Sequence, residues 1–377
     1  MDNNNPYLLL TPGPLSTTAS VKQTMLRDWC TWDEDYNHGV VEPIRSTLTK
    51  LASSQPGYTT VLMQGSGSFS VESVIGSCLG QDDKLLVLIN GAYGQRMQTM
   101  AKQLKIETVC LITEETTSPD VQALDKILSE QPEITHVACV HCETTTGILN
   151  PIEEYAAVIK KHGKVWIVDA MSSFGGIDID MAKLGIHFLI SSANKCIQGV
   201  PGFGFIVAKE DELKRCQGLA RSHSLDLFDQ WQTMEQGRGK WRFTSPTHVV
   251  RAFQKALEEL QHEGGITMRH KRFSENHQTL VQGMHELGFD TVIETKKQSP
   301  FITAFHTPDI NKFYFKEFYD RLKSRGFVIY PGKVAKTPCF RIGHIGDITP
   351  QDIKSLLMAI GENRYWLTDN ATQIISA

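Results

Sequence analysis

The chain has 377 residues, of which 41% are hydrophobic and 21% are charged, and its formal net charge at pH 7 is −4. This composition is typical of a globular protein with a sizeable core, and the length favours a large domain followed by a smaller one. The acidic balance argues against nucleic acid as a partner, and no apolar run reaches the length that a membrane span requires.

The N-terminal stretch and the cysteines bear on the location of the protein. The first residues, MDNNNPYLLLTPGPL, lack the basic segment and the long apolar run of a secretory signal. The eight cysteines stand mostly in apolar, strand-like contexts and are not spaced like a secreted disulfide framework. Cys139 and Cys142 form a CxxC motif, but no second pair supplies the remaining ligands of a zinc site. We therefore expect a cytoplasmic protein with free thiols, no metal and no contact with a membrane.

Residues 60 to 210 alternate short apolar runs with amphipathic stretches. This alternation predicts βαβ units around a mostly parallel sheet, so that the first part of the chain forms an α/β domain. Strands are predicted at 85–89, 136–141, 165–169, 188–191 and 203–208, and helices at 119–130 and 152–162.

A loop rich in glycine and serine, QGSGS, separates an apolar run from a helical pattern. Such a loop exposes backbone N–H groups at the positive end of a helix dipole, where Ser66, Gly67 and Ser68 could cradle a phosphate group. The loop lacks the GK[ST] of a P-loop and the third glycine of a dinucleotide fingerprint. Because Gly-Ser loops are also common as plain turns, the loop alone leaves both interpretations open.

Two further residues of interest follow predicted strands. Tyr93, in the stretch INGAYGQ, lies in a glycine-flanked loop and could stack on a flat ring or pack over its own turn. Thr145, in HCETTTG, could bond to a cofactor, although three threonines before a glycine also form an ordinary turn. The local sequence leaves these alternatives open for both residues.

The most informative residues are an acid and an amine at the ends of two predicted buried strands. They are Asp169 in VWIVDAMSSFGG and Lys195 in FLISSANKCIQGVPG. Ligands of α/β sheets bind outside the carboxyl ends of the strands, so these two residues can share one site. Pyridoxal phosphate needs both groups, because a lysine amine condenses with its aldehyde and an acid keeps its ring nitrogen protonated. Taken singly, a surface lysine and a helix-capping aspartate are the simpler interpretations.

The last third of the chain predicts a second, smaller unit. Segment 250–262 has apolar residues along one helical face, and Gly264 and Gly265 are expected to end that helix. We place the domain boundary there, so that residues 1–265, with an N-terminal arm, form the large domain and residues 266–377 the small one. Strands are predicted at 299–305, 327–330 and 339–342, and helices at 312–325 and 350–361, in a compact α+β arrangement.

Arg341 lies between apolar neighbours in a predicted strand of the second unit. An arginine in such a place needs a partner, and its planar guanidinium group matches a carboxylate or a phosphonate. A structural salt bridge would satisfy the side chain equally well. The segment therefore leaves a substrate-binding and a structural role open.

Motifs along nearly the whole chain resemble those of the fold type I pyridoxal phosphate aminotransferases, in the alanine–glyoxylate and serine–pyruvate branch. In chain order they are TPGPL, TWDEDYN, GSGSFSVE, NGAYG, HCETTTG, DAMSSFGG, SSANKCIQGVPGF, KWRFTSPTH and CFRIG. DAMSSFGG with SSANKCIQGVPGF is the most specific combination, and the set as a whole resembles the 2-aminoethylphosphonate–pyruvate transaminases. The resemblance implies a large domain with a mostly parallel seven-stranded sheet and a smaller C-terminal α+β domain; the segment after about residue 365 matches no motif.

The resemblance also implies which residues hold pyridoxal 5'-phosphate. Lys195 would bind the cofactor covalently and act as general base, and Asp169 would pair with the ring nitrogen. The loop residues Ser66, Gly67 and Ser68 would cradle the phosphate group. Both catalytic residues thus coincide with the acid and the amine that the strand pattern singles out.

Four other residues receive roles from the resemblance alone. Tyr93 would lie over the cofactor ring and Thr145 would contact its phenolic oxygen. Thr244 would reach the phosphate group bound in the neighbouring subunit, since the family is dimeric. Arg341 would bind the phosphonate or carboxylate group of the substrate. We therefore expect a homodimer with active sites at the subunit interface.

The implied reaction transfers the amino group of 2-aminoethylphosphonate to pyruvate and gives phosphonoacetaldehyde and L-alanine, a step of phosphonate catabolism. An aminotransferase of the alanine–glyoxylate or serine–pyruvate type is the main alternative, because these enzymes share the cofactor residues. A non-catalytic protein that binds pyridoxal phosphate is a further alternative, but it would need neither Lys195 nor Arg341.

Overall fold

The structure of the protein is a computed structural model, and it describes residues 5–310, 312–332, 334 and 338–370. The strands are β1 (Leu8–Leu9), β2 (Tyr58–Gln64), β3 (Lys84–Ile89), β4 (Glu107–Ile112), β5 (His136–Val140), β6 (Cys142–Glu143), β7 (Ile148–Leu149), β8 (Val165–Asp169), β9 (Phe188–Ser192), β10 (Phe203–Lys209), β11 (Ile302–His306), β12 (Phe327–Val328), β13 (Tyr330–Pro331) and β14 (Cys339–Gly343).

The helices cover both faces of the main sheet and one side of a smaller sheet. They are α1 (Ala19–Gln23), α2 (Glu34–Tyr36), α3 (Glu42–Ala52), α4 (Gly67–Cys78), α5 (Ala92–Gln103), α6 (Val121–Glu130), α7 (Ile152–Lys161), α8 (Met181–Leu184), α9 (Glu210–Arg215), α10 (Leu227–Gln236), α11 (Thr247–Glu263), α12 (Gly265–Glu286), α13 (Phe315–Ser324) and α14 (Pro350–Glu362). Short 3₁₀ turns lie at Thr24–Leu26, Thr295–Lys297 and Tyr365–Asn370, and a π turn lies at Asn37–Val41. Within the described residues, no helix has the length and apolarity needed to cross a bilayer.

The main sheet has seven strands in the order β2-β10-β9-β8-β5-β3-β4. Strand β10 runs antiparallel to β2 and β9, and the other neighbours are parallel. The prediction of a mostly parallel seven-stranded sheet is therefore confirmed. Helices on both faces bury its strands, which explains the continuous apolar runs of β5, β8 and β9. The edge strand β4 is largely half-buried and is not among the predicted strands, although it contains the short apolar run 109–112.

Helices α6 and α7 lie where the sequence predicts them, and the side chain of Asp120 caps α6 by accepting a bond from the Ala123 amide. Helix α11 ends at Gly264, whose φ of 106° is in the left-handed region. The chain then continues directly into α12, a helix of 22 residues that the pattern does not predict. Its buried face includes Arg269 and Asn276, and these polar residues interrupt the apolar periodicity.

The C-terminal part contains a three-stranded antiparallel sheet in the order β11-β14-β13. The segment predicted as one strand at 327–330 is divided, because β12 pairs with the N-terminal strand β1 whereas β13 pairs with β14. Leu10 is also buried in the core of this part. The N-terminal arm thus packs on the small unit, and the proposed boundary at residue 265 stays a prediction.

Three buried clusters form the interior. The largest surrounds the seven-stranded sheet, and the second joins α12, α13 and α14 to the three-stranded sheet. A third, smaller cluster lies between them and consists of Leu15, Cys142, Cys196, Phe273, Phe301 and Ile345. It brings the N-terminal segment, the ends of the main strands and α12 together at one edge of the sheet, where the candidate site lies.

Candidate active site

Asp169 and Lys195 follow two neighbouring parallel strands. Asp169 is the last residue of β8 and is paired in register with Ile190 of β9. Lys195 lies in the turn after β9, which is closed by bonds from the Gln198 amide to the Lys195 carbonyl (2.7 Å) and from the Gly199 amide to the Ala193 carbonyl (2.9 Å). The strand ends therefore deliver the acid and the amine to the same edge of the sheet.

Both residues line one cavity with a volume of about 190 Å³. Its wall also contains the glycine and serine loop and parts of α4 and α5. The other lining residues are Ser66, Gly67, Ser68, Val71, Tyr93, Arg96, Met97, Met100, Met171, Ser192 and Asn194. Six of the nine residues singled out in the sequence thus meet at this cavity, and Thr145, Thr244 and Arg341 do not line it.

The N-terminus of α4 opens into this cavity. Ser66 is the N-cap residue, and its side chain makes no capping bond to the first N–H groups of the helix. A Cβ at Gly67 would overlap the Sδ and Cε atoms of Met171, so the glycine leaves room for the end of this side chain where the loop approaches the opposite wall. This geometry suits an anion such as a phosphate group.

Burial raises the pKa of Asp169 to about 6. The charge of Glu143 acts in the same direction, whereas a hydrogen bond from the Met171 amide to Oδ1 (2.9 Å) and the charges of Lys195 and Arg96 lower it. This buried carboxyl group has one backbone donor, so its oxygens can accept a further hydrogen bond. A protonated ring nitrogen would donate such a bond.

Burial lowers the pKa of the Lys195 amine, and the positive charge of Arg341 lowers it further, against the opposing effect of Asp169. The Nζ atom donates a hydrogen bond to the carbonyl of Pro12 (2.5 Å). Gly13 has a φ of +128°, and a Cβ on this residue would lie 2.9 Å from Nζ. The N-terminal segment therefore covers the lysine closely.

Tyr93 does not lie in a loop, as its glycine neighbours suggest, but in the first turn of α5. The guanidinium group of Arg96, one turn later, stands 5.0 Å from the centre of the Tyr93 ring and donates a bond to the Ser68 hydroxyl (3.0 Å). The start of α5 is thus connected to the start of α4 across the cavity.

Thr145 is fully buried in the turn between β6 and β7. Its hydroxyl donates to Oε1 of Glu143 (2.5 Å), and its amide bonds to the same oxygen (3.3 Å). The threonine belongs to a turn, and its hydroxyl also has a specific carboxylate partner.

Arg341 is buried on β14, and its bonds go to main-chain carbonyls. Nε donates to Pro331 (3.1 Å) and Nη1 donates to Thr144 (2.7 Å). No carboxylate among the described residues lies within salt-bridge distance of it. Its charge nonetheless acts on Lys195, which places the two cations in the same region.

Thr244 lies in an exposed segment between α10 and α11, beside the exposed ring of Phe243. The neighbouring Ser245 hydroxyl is bonded to the hydroxyl of Tyr36 (2.8 Å), which holds the segment against the large core. Within one chain, Thr244 is not brought to the cavity.

A family model described as aminotransferase class-V matches residues 34–343. The chain belongs to the class-V aminotransferases. It is 59% identical over 362 residues to the 2-aminoethylphosphonate–pyruvate transaminase of Vibrio vulnificus (strain CMCP6), covering 96% of this chain and 99% of the relative. The relative of the same name from Bacteroides fragilis (strain YCH46) is 59% identical over 361 residues, with the same coverage.

Solved structures of aminotransferases share the fold. Ureidoglycine–glyoxylate aminotransferase from Bacillus subtilis superposes with a TM-score of 0.87 at 20% identity and covers 94% of this chain and 92% of its own. Pyridoxamine–pyruvate aminotransferase from Mesorhizobium loti gives 0.86 at 25% identity, over 96% and 93%. The resemblance seen in the motifs and the expected fold type I architecture of this class-V aminotransferase are thereby confirmed.

Several residues at or near the cavity are not predicted from the sequence, among them Arg96, Asn194 and Glu143. Arg96 stands three residues after Tyr93, a spacing that places both on one helical face and could have identified it. Asn194 precedes Lys195 and lines the cavity. The sequence assigns no role to Glu143, and its burial beside α5 has no local signal, because residues 92–94 are distant in the chain.

Proposed function

We propose that this class-V aminotransferase uses pyridoxal 5'-phosphate to transfer the amino group of 2-aminoethylphosphonate to pyruvate. The observation that carries the chemistry is the single cavity that has Asp169, Lys195 and the open N-terminus of α4 on its wall. The identity of 59% to relatives named for this reaction supports the choice of substrates.

The residues present fit the cofactor. The first turn of α4 supplies N–H groups and the hydroxyls of Ser66 and Ser68 for a phosphate group. Asp169 supplies a buried carboxylate for the ring nitrogen, and Lys195 supplies an amine for the aldehyde. When bound, the cofactor provides an electron-withdrawing ring that stabilises negative charge on the substrate carbon.

Asp169 and Lys195 would have different roles in the reaction. Asp169 holds the proton on the ring nitrogen through a charge-assisted hydrogen bond, of roughly 1.5–3 kcal/mol in a buried site. Lys195 would be the general acid–base catalyst, because its free amine could accept the proton of the substrate carbon and donate it to the cofactor. Burial lowers the pKa of this amine, which raises its neutral, proton-accepting fraction near neutral pH.

Arg341 is proposed as the group that binds the substrate anion. Its carbonyl partners hold the guanidinium group in place without neutralising its charge. A planar cation of this kind binds a phosphonate or a carboxylate through paired hydrogen bonds. One arginine would therefore serve 2-aminoethylphosphonate and pyruvate in successive half-reactions.

We also propose a homodimer and a cytoplasmic location. The rings of Phe69, beside the α4 loop, and Phe243, beside Thr244, are about half exposed. A second copy covering these rings would bring its Thr244 to the neighbouring phosphate site. All eight cysteines are free thiols, as is usual in a reducing compartment.

The direct test is a steady-state assay of the purified protein with 2-aminoethylphosphonate and pyruvate, in parallel with alanine and serine as donors and glyoxylate as acceptor. We expect 2-aminoethylphosphonate to be the preferred donor. Preference for alanine or serine would select the alternative aminotransferase. Lys195→Ala should lose turnover and the absorbance of the covalently bound cofactor, and retained turnover would remove Lys195 from its catalytic role.

A non-catalytic binder is distinguished by adding 2-aminoethylphosphonate alone. An aminotransferase completes the first half-reaction without pyruvate, so the cofactor absorbance changes. A binding protein would keep the spectrum unchanged.

A further inference from the structure

Glu143 is a fully buried carboxylate to which the proposed function assigns no role. Among the described residues, no lysine, arginine or histidine lies within salt-bridge distance of it. Its bonds come instead from backbone amides and one hydroxyl. A buried carboxylate is costly unless such donors satisfy it, so this arrangement is a specific feature of the fold.

The donors to Glu143 belong to two elements near the cavity. Oε2 accepts from the Tyr93 amide in the first turn of α5 (3.1 Å). Burial raises the pKa of Glu143, and the hydrogen bonds from Thr145, Tyr93 and Gly94 oppose this by stabilising the charged form. Oε1 accepts from the amide (3.3 Å) and the hydroxyl (2.5 Å) of Thr145. A Cβ at Gly91 would overlap the Glu143 side chain, so a glycine allows the close approach of α5.

The bond from Thr145 to Glu143 has a chemical consequence. A threonine hydroxyl carries one proton and two lone pairs. If the proton points at Glu143, the oxygen has only lone pairs for any other group. The carboxylate therefore decides whether Thr145 acts as a donor or as an acceptor toward the cofactor.

We propose that Glu143 is a positioning residue, which fixes the first turn of α5 under Tyr93 and directs the Thr145 hydroxyl so that it accepts a hydrogen bond from the phenolic group of the cofactor. This inference rests on the proposed function, because it takes pyridoxal phosphate as the ligand. Glu143 itself touches neither cofactor nor substrate in this role. It acts through its two neighbours.

The test uses Glu143→Gln, Thr145→Val, the double variant and Thr145→Ser in the cofactor-loaded protein. The readouts are the dissociation constant of pyridoxal phosphate, from tryptophan fluorescence, and the midpoint pH of the absorbance change of the bound cofactor. The groups around Glu143 that also titrate or carry charge are Tyr93, Cys142, Asp169 and Arg341, and all the variants retain them.

Glu143→Gln should weaken cofactor binding about tenfold, as expected for one lost charged hydrogen bond, and should move the midpoint pH. Thr145→Val should move the midpoint as well, and Thr145→Ser should restore it. In the Thr145→Val background, the shift caused by Glu143→Gln should be clearly smaller, and the part that remains reflects the lost charge near Asp169 and the contact with the first turn of α5. Glu212→Gln is the control, because this glutamate of α9 is largely buried, pairs with Arg215 and does not line the cavity, and it should change neither readout.

Two results would overturn the inference. One is an unchanged midpoint in Thr145→Val, which is decisive even if Glu143→Gln fails to fold. The other is a Glu143→Gln shift of equal size with and without the Thr145 hydroxyl. Failure of the wild-type protein to bind pyridoxal phosphate would instead contradict the proposed function.

Discussion

At the scale of single residues, the site is defined by Asp169 and Lys195, and burial disfavours the charged form of each. The pKa of Asp169 is raised and that of Lys195 is lowered, mainly because both are withdrawn from water. An acid and an amine shifted in this way on one cavity wall are typical of a catalytic site. A bound cofactor would supply a partner for each of them, its ring nitrogen for Asp169 and its aldehyde for Lys195.

The raised pKa of Asp169 predicts a pH-dependent stability of the cofactor-free protein. In the unfolded chain this carboxyl ionises near pH 4, and in the folded chain near pH 6, so folding becomes less favourable as the pH rises from about 4 to about 6. Asp169→Asn should therefore be more stable than the wild type above pH 6, by up to about 3 kcal/mol, with no such gain at pH 4. Urea unfolding at pH 4 to 8 measures the difference, and a gain independent of pH would contradict the assignment.

Arg341 should control both half-reactions without affecting cofactor binding. Loss of a charge-assisted bidentate contact in Arg341→Ala should cost roughly 2–5 kcal/mol in each half-reaction. Single-turnover spectroscopy follows the first with 2-aminoethylphosphonate and the second with pyruvate. Arg341→Lys, which keeps the charge but not the planar fork, should recover part of the loss. If one half-reaction alone suffers, the two anions have separate binding groups.

At the scale of elements, the turn that carries Lys195 is held by α12. Arg269 donates to the carbonyl of Cys196 (2.6 Å), and Arg272 donates to the side chain of Gln198 (2.8 Å) and to the carbonyls of Gly346 and Ile348 (2.8 Å each). Helix α12 thus connects the lysine turn to the small C-terminal unit. Arg269, which interrupts the apolar periodicity of this helix, is thus one of the two residues that make the connection.

Because the N-terminus of α4 opens into the cavity, a methyl group at Gly67 should weaken the binding of a phosphate group there. The added Cβ would displace the end of the Met171 side chain, which lines the cavity, so the fold should survive while the cavity narrows. Gly67→Ala should weaken pyridoxal phosphate binding at least about tenfold, equal to about 1.4 kcal/mol, with little change in Tm. Gly39→Ala is the matched control, since nothing lies within 4 Å of a Cβ there. Equal affinity in both variants would argue against phosphate binding at this loop.

At the scale of the whole molecule, a single chain does not bring all residues of the proposed site together. Thr244 is exposed and does not line the cavity. The half-exposed rings of Phe69 and Phe243 lie next to the phosphate loop and next to Thr244. A dimer that covers both rings would complete the phosphate site with a residue from each chain.

Mixing two inactive or weakened variants tests this dimer. In a mixed dimer of Lys195→Ala and Thr244→Ala, one site combines an intact Lys195 with an intact Thr244, if Thr244 serves the neighbouring chain. Activity should then rise above that of either variant alone. The measurement follows turnover after subunit exchange, verified with differently tagged chains. No recovery would place Thr244 in its own subunit's site or outside the site.

Local sequence patterns are sufficient to predict five of the seven strands of the main sheet and the two central residues. Strands β5, β8 and β9 are buried on both faces, and their continuous apolar runs can be recognised without knowledge of distant contacts. Polar residues directly after such strands fall at the carboxyl edge of a parallel sheet whatever the rest of the chain does. The amino-acid order alone therefore predicts Asp169 and Lys195 as neighbours.

Tertiary packing, in contrast, decides which distant residues surround these two. The Pro12 carbonyl at Lys195, the Thr144 carbonyl at Arg341 and the carboxylate of Glu143 at the start of α5 are contacts across 183, 197 and 50 residues of chain. The same holds for the pairing of β1 with β12, which divides a segment predicted as one strand. Such contacts depend on how elements pack against each other, and no local periodicity encodes that packing.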